Sequence, residues 1–495
     1  MLSKEAYQKL SVDYNVIPFV REIIADDETP IRLVEKLRHY GPSFLLESVE
    51  GGEQWGRYSI LGFNISKTFQ IENERAVIID NGEKEILPES NPVDALQSYL
   101  HRFKPYEADD IPRFFGGAVG YFSFESVRFF ERCGEVKENN SSFPDACFFM
   151  ADQLAIFDNL THTVKLIYCS HPTDYNSIDA AYNDALTSLD KMQEMLTEQR
   201  LPAIEPAKEK TLEMKSNMSK ETYEEIVNKA KEYIRDGDII QVVLAQHFST
   251  QTSADPLNVY RALRHINPSP YLYYLDFADG RVIAGSSPEV MVRVSKDIAS
   301  VRPIAGTRPR GKTEEEDEAL AEELLNDPKE IAEHVMLVDL ARNDLGRISE
   351  IGSVKVNEYM IIEKYSHVMH IVSDVVGKVR DNLDAIDVFK ATFPAGTLSG
   401  APKVRAMEII NELESDSRGP YGGALGYIGY GARIMDLAIT IRTVVMDGQT
   451  ATVTAGAGIV FDSVPEKEYE ETRHKSRGMR QAIQLAENNL RLEDN

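Results

Sequence analysis

The sequence predicts an α+β fold, with largely antiparallel β-sheets packed against helices, and three observations lead to it. Beyond residue 238 many apolar, β-branched runs follow one another with no helix between them, which a parallel βαβ chain does not allow. Helices are present, but they are set off by caps and breakers instead of alternating with every strand. The chain has 495 residues, 42% of them hydrophobic, enough to bury one large composite core or two to three domains.

Taken in order, strand-like runs at 58–63, 76–80, 155–158 and 163–168 mix with amphipathic helices. Residues 190–218 are charged, hold two prolines and lack steady apolar periodicity, which reads as a connection. We therefore expect one region at 1–190, a linker at 191–218 and a second region at 219–495. Ser219 is a good N-cap for a helix reaching about residue 235. That helix carries Tyr223, Ile226, Ala230 and Tyr233 on one stripe and stops at Asp236-Gly237. Strands are expected at 239–245, 271–277, 282–284 and 290–294. A helical stretch over 315–345 breaks at Asn326-Asp327-Pro328. There Asp327 caps, Pro328 fits the first helical position and Glu330 is placed to close a capping box. Further strands are expected at 369–376, 423–430, 438–446 and 450–455.

The net charge of −26 argues against nucleic acid as a partner, because phosphate binding needs a basic surface. An anionic small substrate must then meet a local positive field from a metal or from placed Arg and Lys. Three cysteines, Cys133, Cys147 and Cys169, show no framework spacing and suggest a reducing compartment. The N-terminal M-L-S-K-E-A-Y-Q-K-L lacks the apolar segment of a signal peptide. No apolar run approaches the roughly 18 residues of a membrane span. The expectation is a soluble, cytoplasmic protein.

Gly306-Thr-Arg-Pro-Arg-Gly311-Lys312-Thr313 fits the phosphate-loop pattern letter for letter. Its context speaks against nucleotide binding. Glu314, Glu315, Glu316 and Asp317 would ring the helix terminus that should attract anions. Asp339, the residue that would hold Mg²⁺ in such an enzyme, lies in a helical periodicity, and no parallel βαβ frame is in sight. We read a Gly-rich turn.

A different constellation carries more. Glu330 and Glu333, and again Glu468 and Glu471, have i, i+3 spacing in helical stretches, so each pair shares one face. Two acidic faces far apart in sequence offer the oxygen ligands that a hard divalent cation such as Mg²⁺ needs. Lys475, at i+7 from Glu468, continues the second face and sets a cation where a substrate carboxylate could rest. For Glu330 the cap alone is a competing explanation; for the others it is a solvated helix face.

Several segments occur in one order: Gly285-Ser-Ser-Pro-Glu289, Pro303-Ile-Ala-Gly-Thr307, Lys329-Glu-Ile-Ala-Glu-His334 with Leu340-Ala-Arg-Asn-Asp344, His367-Val-Met-His370, Gly396-Thr-Leu-Ser-Gly-Ala-Pro402, Ala455-Gly-Ala-Gly458 and Glu468-Tyr-Glu-Glu-Thr472. The series resembles the chorismate-utilising enzymes, strongly from about 219 to 479 and more weakly upstream. The resemblance implies a Mg²⁺-dependent reaction on chorismate. It makes Glu333 and Glu471 the direct ligands, with Glu330 and Glu468 direct or through water. It makes Arg442 and Tyr421 the holders of the enolpyruvyl carboxylate and puts Lys475 near the ring carboxylate. Gly306, Thr307, Gly456 and Gly458 would offer backbone N–H groups where a Cβ would obstruct. Glu289 matches the acid that protonates the departing C4 hydroxyl, and should sit where its pKa is raised. His370 matches a histidine of the later proton transfer and pyruvate loss. His334 and His367 are read as structural.

Two positions choose within the family. Water-using members carry Lys where this chain has Gln241, and glutamine is no base. Aminodeoxychorismate-forming members carry Lys where this chain has Ala305, the form of the anthranilate-forming component I chains. Nitrogen should therefore end at C2. No cysteine lies in a G-x-C-x-G elbow, so the resemblance implies a separate glutamine amidotransferase subunit, in a heterotetramer. Leu45-Leu-Glu-Ser48 and Asn267-Pro-Ser-Pro-Tyr271 match the two halves of a tryptophan-sensing pocket. Ser48, Pro268, Pro270, Tyr271 and Leu272 would line it, with 267–277 contributing from the second region. The rivals are aminodeoxychorismate synthase component I, a phosphate-loop hydrolase and a catalytically inactive tryptophan-binding regulator.

Overall fold

The computed structural model describes residues 2–48, 57–108, 111–134, 137, 141–197, 210–365 and 368–492. Two twelve-stranded sheets dominate the described residues. The first runs Ile17–Ile24, Thr163–Ser170, Gln153–Asp158, Tyr58–Gly62, Ser43–Glu47, Tyr271–Asp276, Arg281–Ser287, Thr443–Asp447, Thr450–Ile459, Gln241–Gln251 and Lys215–Ser216, with Gly400–Ala401 beside Gln241–Gln251. The second runs Ile304–Pro309, Val368–Lys378, Ile298–Val301, Val290–Ser295, Met435–Ile439, Ala424–Gly429, Gly117–Phe122, Ala146–Ala151, Lys67–Glu72, Arg75–Asp80 and Glu83–Ile86, with Lys355–Lys364 against Val368–Lys378. Neighbouring strands pair antiparallel throughout, as the run of helix-free strands predicts. Both sheets draw strands from either side of 191–218.

The sheets face one another across an apolar core. Phe44 of the first stacks near Phe149 of the second at 6.3 Å, and Phe149 meets Phe277 at 5.0 Å. Helices Pro30–Leu37, Ile178–Thr197, Pro256–Ile266 and Pro465–Glu487 bury their apolar stripes on the outer face of the first sheet. Helix Ile178–Thr197 runs seven residues into the stretch assigned to the linker. Met192 and Leu196 continue the buried stripe of Ala181, Ala185 and Leu189, which the polar composition masks. Beyond it, residues 198–209 are outside the described set. The chain resumes along helix Pro465–Glu487, where Lys210 pairs with Glu487 at 3.1 Å.

Local chemistry explains the helices that matter to the site. Ser219 caps Lys220–Asp236 and Gly237 closes it in the left-handed conformation, φ 87°. Asp327 accepts from Lys329 N–H and Glu330 N–H, with Pro328 in the first turn. The reciprocal half of a capping box does not form. Asp327 N–H donates to Leu324 O, and the Glu330 carboxylate turns to Arg308 at 3.8 Å.

One expected strand is two. Residues 438–446 split into Met435–Ile439 of the second sheet and Thr443–Asp447 of the first. The chain crosses between the sheets at 440–442, and Arg442 takes φ 52°, a conformation costly for a side chain with a Cβ. A second crossing that bears on the site is at Pro288-Glu289, between Arg281–Ser287 and Val290–Ser295.

Candidate active site

Both crossings open into one cavity of about 490 Å³. Glu289 is held there by its turn. Ser287 Oγ donates to Ile439 O at 2.7 Å, and Ile439 N–H donates to Glu289 O at 3.0 Å. Thr397 Oγ1 donates to the Glu289 carboxylate at 2.9 Å. Burial dominates and lifts this carboxyl to about 7, against the opposing pull of Thr397 and the Lys475 charge. An acid so placed can carry a proton near neutrality.

Arg442 faces the same space. Its guanidinium forms no ion pair among the described residues; its recorded contact is Nη1 to Lys475 O at 3.4 Å. Burial lowers its pKa, with Tyr421 and Glu471 opposing. A buried guanidinium with no carboxylate in ion-pair contact among the described residues favours an incoming carboxylate. Tyr421 lines the wall beside it, and a Cβ on Gly456 would lie 3.0 Å from the Tyr421 hydroxyl.

His370 stands on Val368–Lys378 with Nδ1 at 2.7 Å from Gly306 O and 3.2 Å from Thr307 Oγ1. Nδ1 therefore carries the proton and Nε2 keeps its lone pair. Burial lowers the pKa, so the neutral ring prevails at pH 7. Gly306 has φ 69°, a left-handed conformation that favours glycine. A Cβ on Gly458 would come within 2.7 Å of Gln241 Nε2.

Glu330 and Glu333 reach the cavity from helix Pro328–Gly346, and Glu468, Glu471 and Lys475 from helix Pro465–Glu487. Lys475 Nζ pairs with Glu471 at 2.7 Å and donates to Gly456 O at 3.1 Å. Burial raises the Glu330 carboxyl, and the Glu333 charge raises it further. Burial likewise raises Glu468, with Glu471 adding to it. An all-oxygen set of mutually repelling carboxylates has the chemistry of a hard-cation site. Among the described residues, however, no three His, Cys, Asp or Glu side chains converge into a preformed metal cage.

All thirteen residues that the sequence nominates for catalysis, substrate or metal line this cavity. The five nominated for tryptophan do not. Leu272 pairs with Glu47 across neighbouring strands, and Ser48 follows directly, so the two segments lie side by side. Tyr271 donates to Asp436 at 2.9 Å and accepts from Arg293 at 2.9 Å; Pro268 and Pro270 are half-buried. Thr397, Lys329 and Leu337 also line the cavity. None of the three stands out in the sequence, although Lys329 and Thr397 both lie inside the motif segments. His334 is buried, with Nε2 2.7 Å from Ser373 Oγ. His367 lies outside the described residues. In the glycine-rich turn, Gly311 N–H donates to Asp317 and Lys312 N–H to Glu316, so two amides a phosphate would need are taken.

The chorismate-binding enzyme family matches residues 41–481. Anthranilate synthase component 1 of Aquifex aeolicus (strain VF5) is 48% identical over 98% of this chain and 98% of its own. That of Acetivibrio thermocellus is 47% identical over 96% and 97%. The crystal structure of anthranilate synthase component I from Streptococcus pneumoniae TIGR4 superposes with a TM-score of 0.76 at 38% identity, covering 92% of this chain and 99% of that one. MenF, the menaquinone-specific isochorismate synthase of Escherichia coli, shares the fold with a TM-score of 0.72 at 18% identity, covering 97% and 98%. The chain belongs to the chorismate-binding enzyme family. Within that family it groups with the anthranilate synthase component 1 chains, and it is an anthranilate synthase.

Proposed function

We propose that this chain is the Mg²⁺-dependent large subunit that converts chorismate and ammonia to anthranilate and pyruvate, the first committed step of tryptophan biosynthesis. One observation carries the reading: Glu289, His370, Arg442 and the four helix carboxylates all face one cavity. Arg442 and Tyr421 bind the enolpyruvyl carboxylate, and the Gly306, Thr307, Gly456 and Gly458 backbone lies against the anion. Mg²⁺ held by Glu333 and Glu471, with Glu330 and Glu468, would take the ring carboxylate and act as a Lewis acid. Glu289 gives its proton to the C4 hydroxyl, which leaves as water while ammonia forms the new bond at C2. His370, with its Nε2 lone pair free of the Gly306 bond, serves the later proton transfer as pyruvate departs. Gln241, where water-using relatives carry a lysine, supplies no base to activate water.

Ammonia comes from a glutamine amidotransferase subunit, with which the chain forms a heterotetramer. The three thiols support this: all are buried, and burial pushes Cys133 up to about 11 and Cys147 up to about 12, so none is a ready nucleophile. Among the described residues no helix is long and apolar enough to cross a membrane, in keeping with a cytoplasmic enzyme. Tryptophan inhibits by binding between Ser48 and the 268–272 segment. The 1–190 region would then serve regulation and 219–495 chorismate, with 191–218 between them.

Incubating the chain with chorismate, Mg²⁺ and ammonium should yield 2-aminobenzoate and pyruvate. Aminodeoxychorismate without pyruvate would refute the assignment. Glutamine alone should give no product unless a second protein is added. Ser48→Phe should lose tryptophan inhibition, and full retention would remove Ser48 from that pocket.

A further inference from the structure

Behind the substrate wall lies a polar cluster that the reaction does not use. Glu125, in the short 3₁₀ segment Phe124–Phe129, is 3% exposed. Its carboxylate accepts Arg418 N–H at 2.6 Å and Gly419 N–H at 3.0 Å. Phe124 N–H donates to Gly419 O at 2.9 Å, and its ring centroid lies 4.4 Å from the Arg418 guanidinium. The Arg418 side chain is buried as well. It donates to Leu398 O and Val243 O, each at 2.7 Å, and its Nε donates to Glu414 at 2.8 Å. Glu414 in turn accepts Ala245 N–H at 2.8 Å. Val243, Leu398 and Tyr421 all line the cavity.

We propose that Glu125 is a positioning residue for chorismate: it fixes the 418–423 loop that presents Tyr421, while Arg418 ties that loop to two other cavity walls. Apolar packing would hold a loop at lower cost than a buried carboxylate. What the carboxylate adds is direction, since two backbone N–H groups that belong to no helix or strand are aimed at one side chain. The loop needs such a guide. Gly419 and Gly422 sit at φ 59° and 72°, where glycine leaves the backbone free to take other shapes. Glu125 comes from the first third of the chain, so the substrate wall is completed by a segment far from the motif-bearing region. This inference rests on the proposed use of chorismate.

The test uses full-length Glu125→Ala and Glu125→Gln with chorismate, ammonium and Mg²⁺. In the alanine variant the KM for chorismate should rise about tenfold or more, and the KM for ammonium should hold. The glutamine variant, which keeps one acceptor oxygen, should fall between alanine and wild type. A lowered melting temperature with the chorismate KM within about twofold of wild type would overturn the proposal and leave Glu125 a merely structural group. If the alanine variant does not fold, the glutamine variant decides on the same readout. Calorimetric titration with chorismate separates the two readings. A wild-type chain that binds chorismate yet makes no anthranilate defeats the proposed reaction while the variants still report on the loop; one that binds none defeats both.

Discussion

Glu289 and Glu471 are the same side chain at two places in one cavity, and the fold treats them differently. Glu289 stands on a turn between the sheets, touched by the Thr397 hydroxyl, and burial lifts its carboxyl to about 7. Glu471 stands on a helix, 45% exposed, and is held at 2.7 Å by Lys475. The first environment stores a proton; the second keeps company with cations. On the proposed roles, burial and neighbours, not residue type, would divide acid catalysis from cation binding here.

The hardest blow to that contrast is Glu289→Gln. It should lower kcat about 10²- to 10⁴-fold and leave chorismate affinity near wild type, measured by steady-state rates and calorimetry. A small loss would mean that the proton comes from elsewhere. Glu471→Gln and Glu333→Gln should instead raise the Mg²⁺ concentration for half-maximal rate, by about tenfold or more. A pure kcat defect with unchanged Mg²⁺ dependence would break the division of labour.

The pH profile sharpens it further. If Glu289 acts protonated as proposed, with burial raising its carboxyl to about 7, kcat/KM should fall as pH rises through about 7, roughly tenfold per unit. That limb should vanish in Glu289→Gln. Smallest is Thr397→Val. The Thr397 hydrogen bond lowers the Glu289 pKa, so its loss should move the limb to higher pH by less than about one unit, with a minor change in rate. A limb that moves down would show that Thr397 does not act on the ionised form.

What the sequence made legible was local. The i, i+3 carboxylates and Lys475 follow from helical periodicity, and both helices form, with Asp327 capping the first. Antiparallel sheets followed from strands without helices between them. The misses were set by tertiary demands. Residues 438–446 read as one continuous apolar strand, because nothing local reveals that Ile439 and Thr443 serve different sheets. Strand Lys355–Lys364 shows no apolar alternation because, beside Val368–Lys378 alone, none of its residues is fully buried. Thr397 sat in plain sight in its segment, but its bond to Glu289 spans 108 residues.

Two of the places where the chain passes from one sheet to the other hold Glu289 and Arg442, the proposed proton donor and anion anchor. Alignment of acid and guanidinium is thus a gauge of how the two layers are seated. A lateral slip of about 1 Å between them would spoil both groups at once, a displacement that can cost about 100-fold in rate. An effector that shifted the layers by so little would silence the enzyme without entering its cavity.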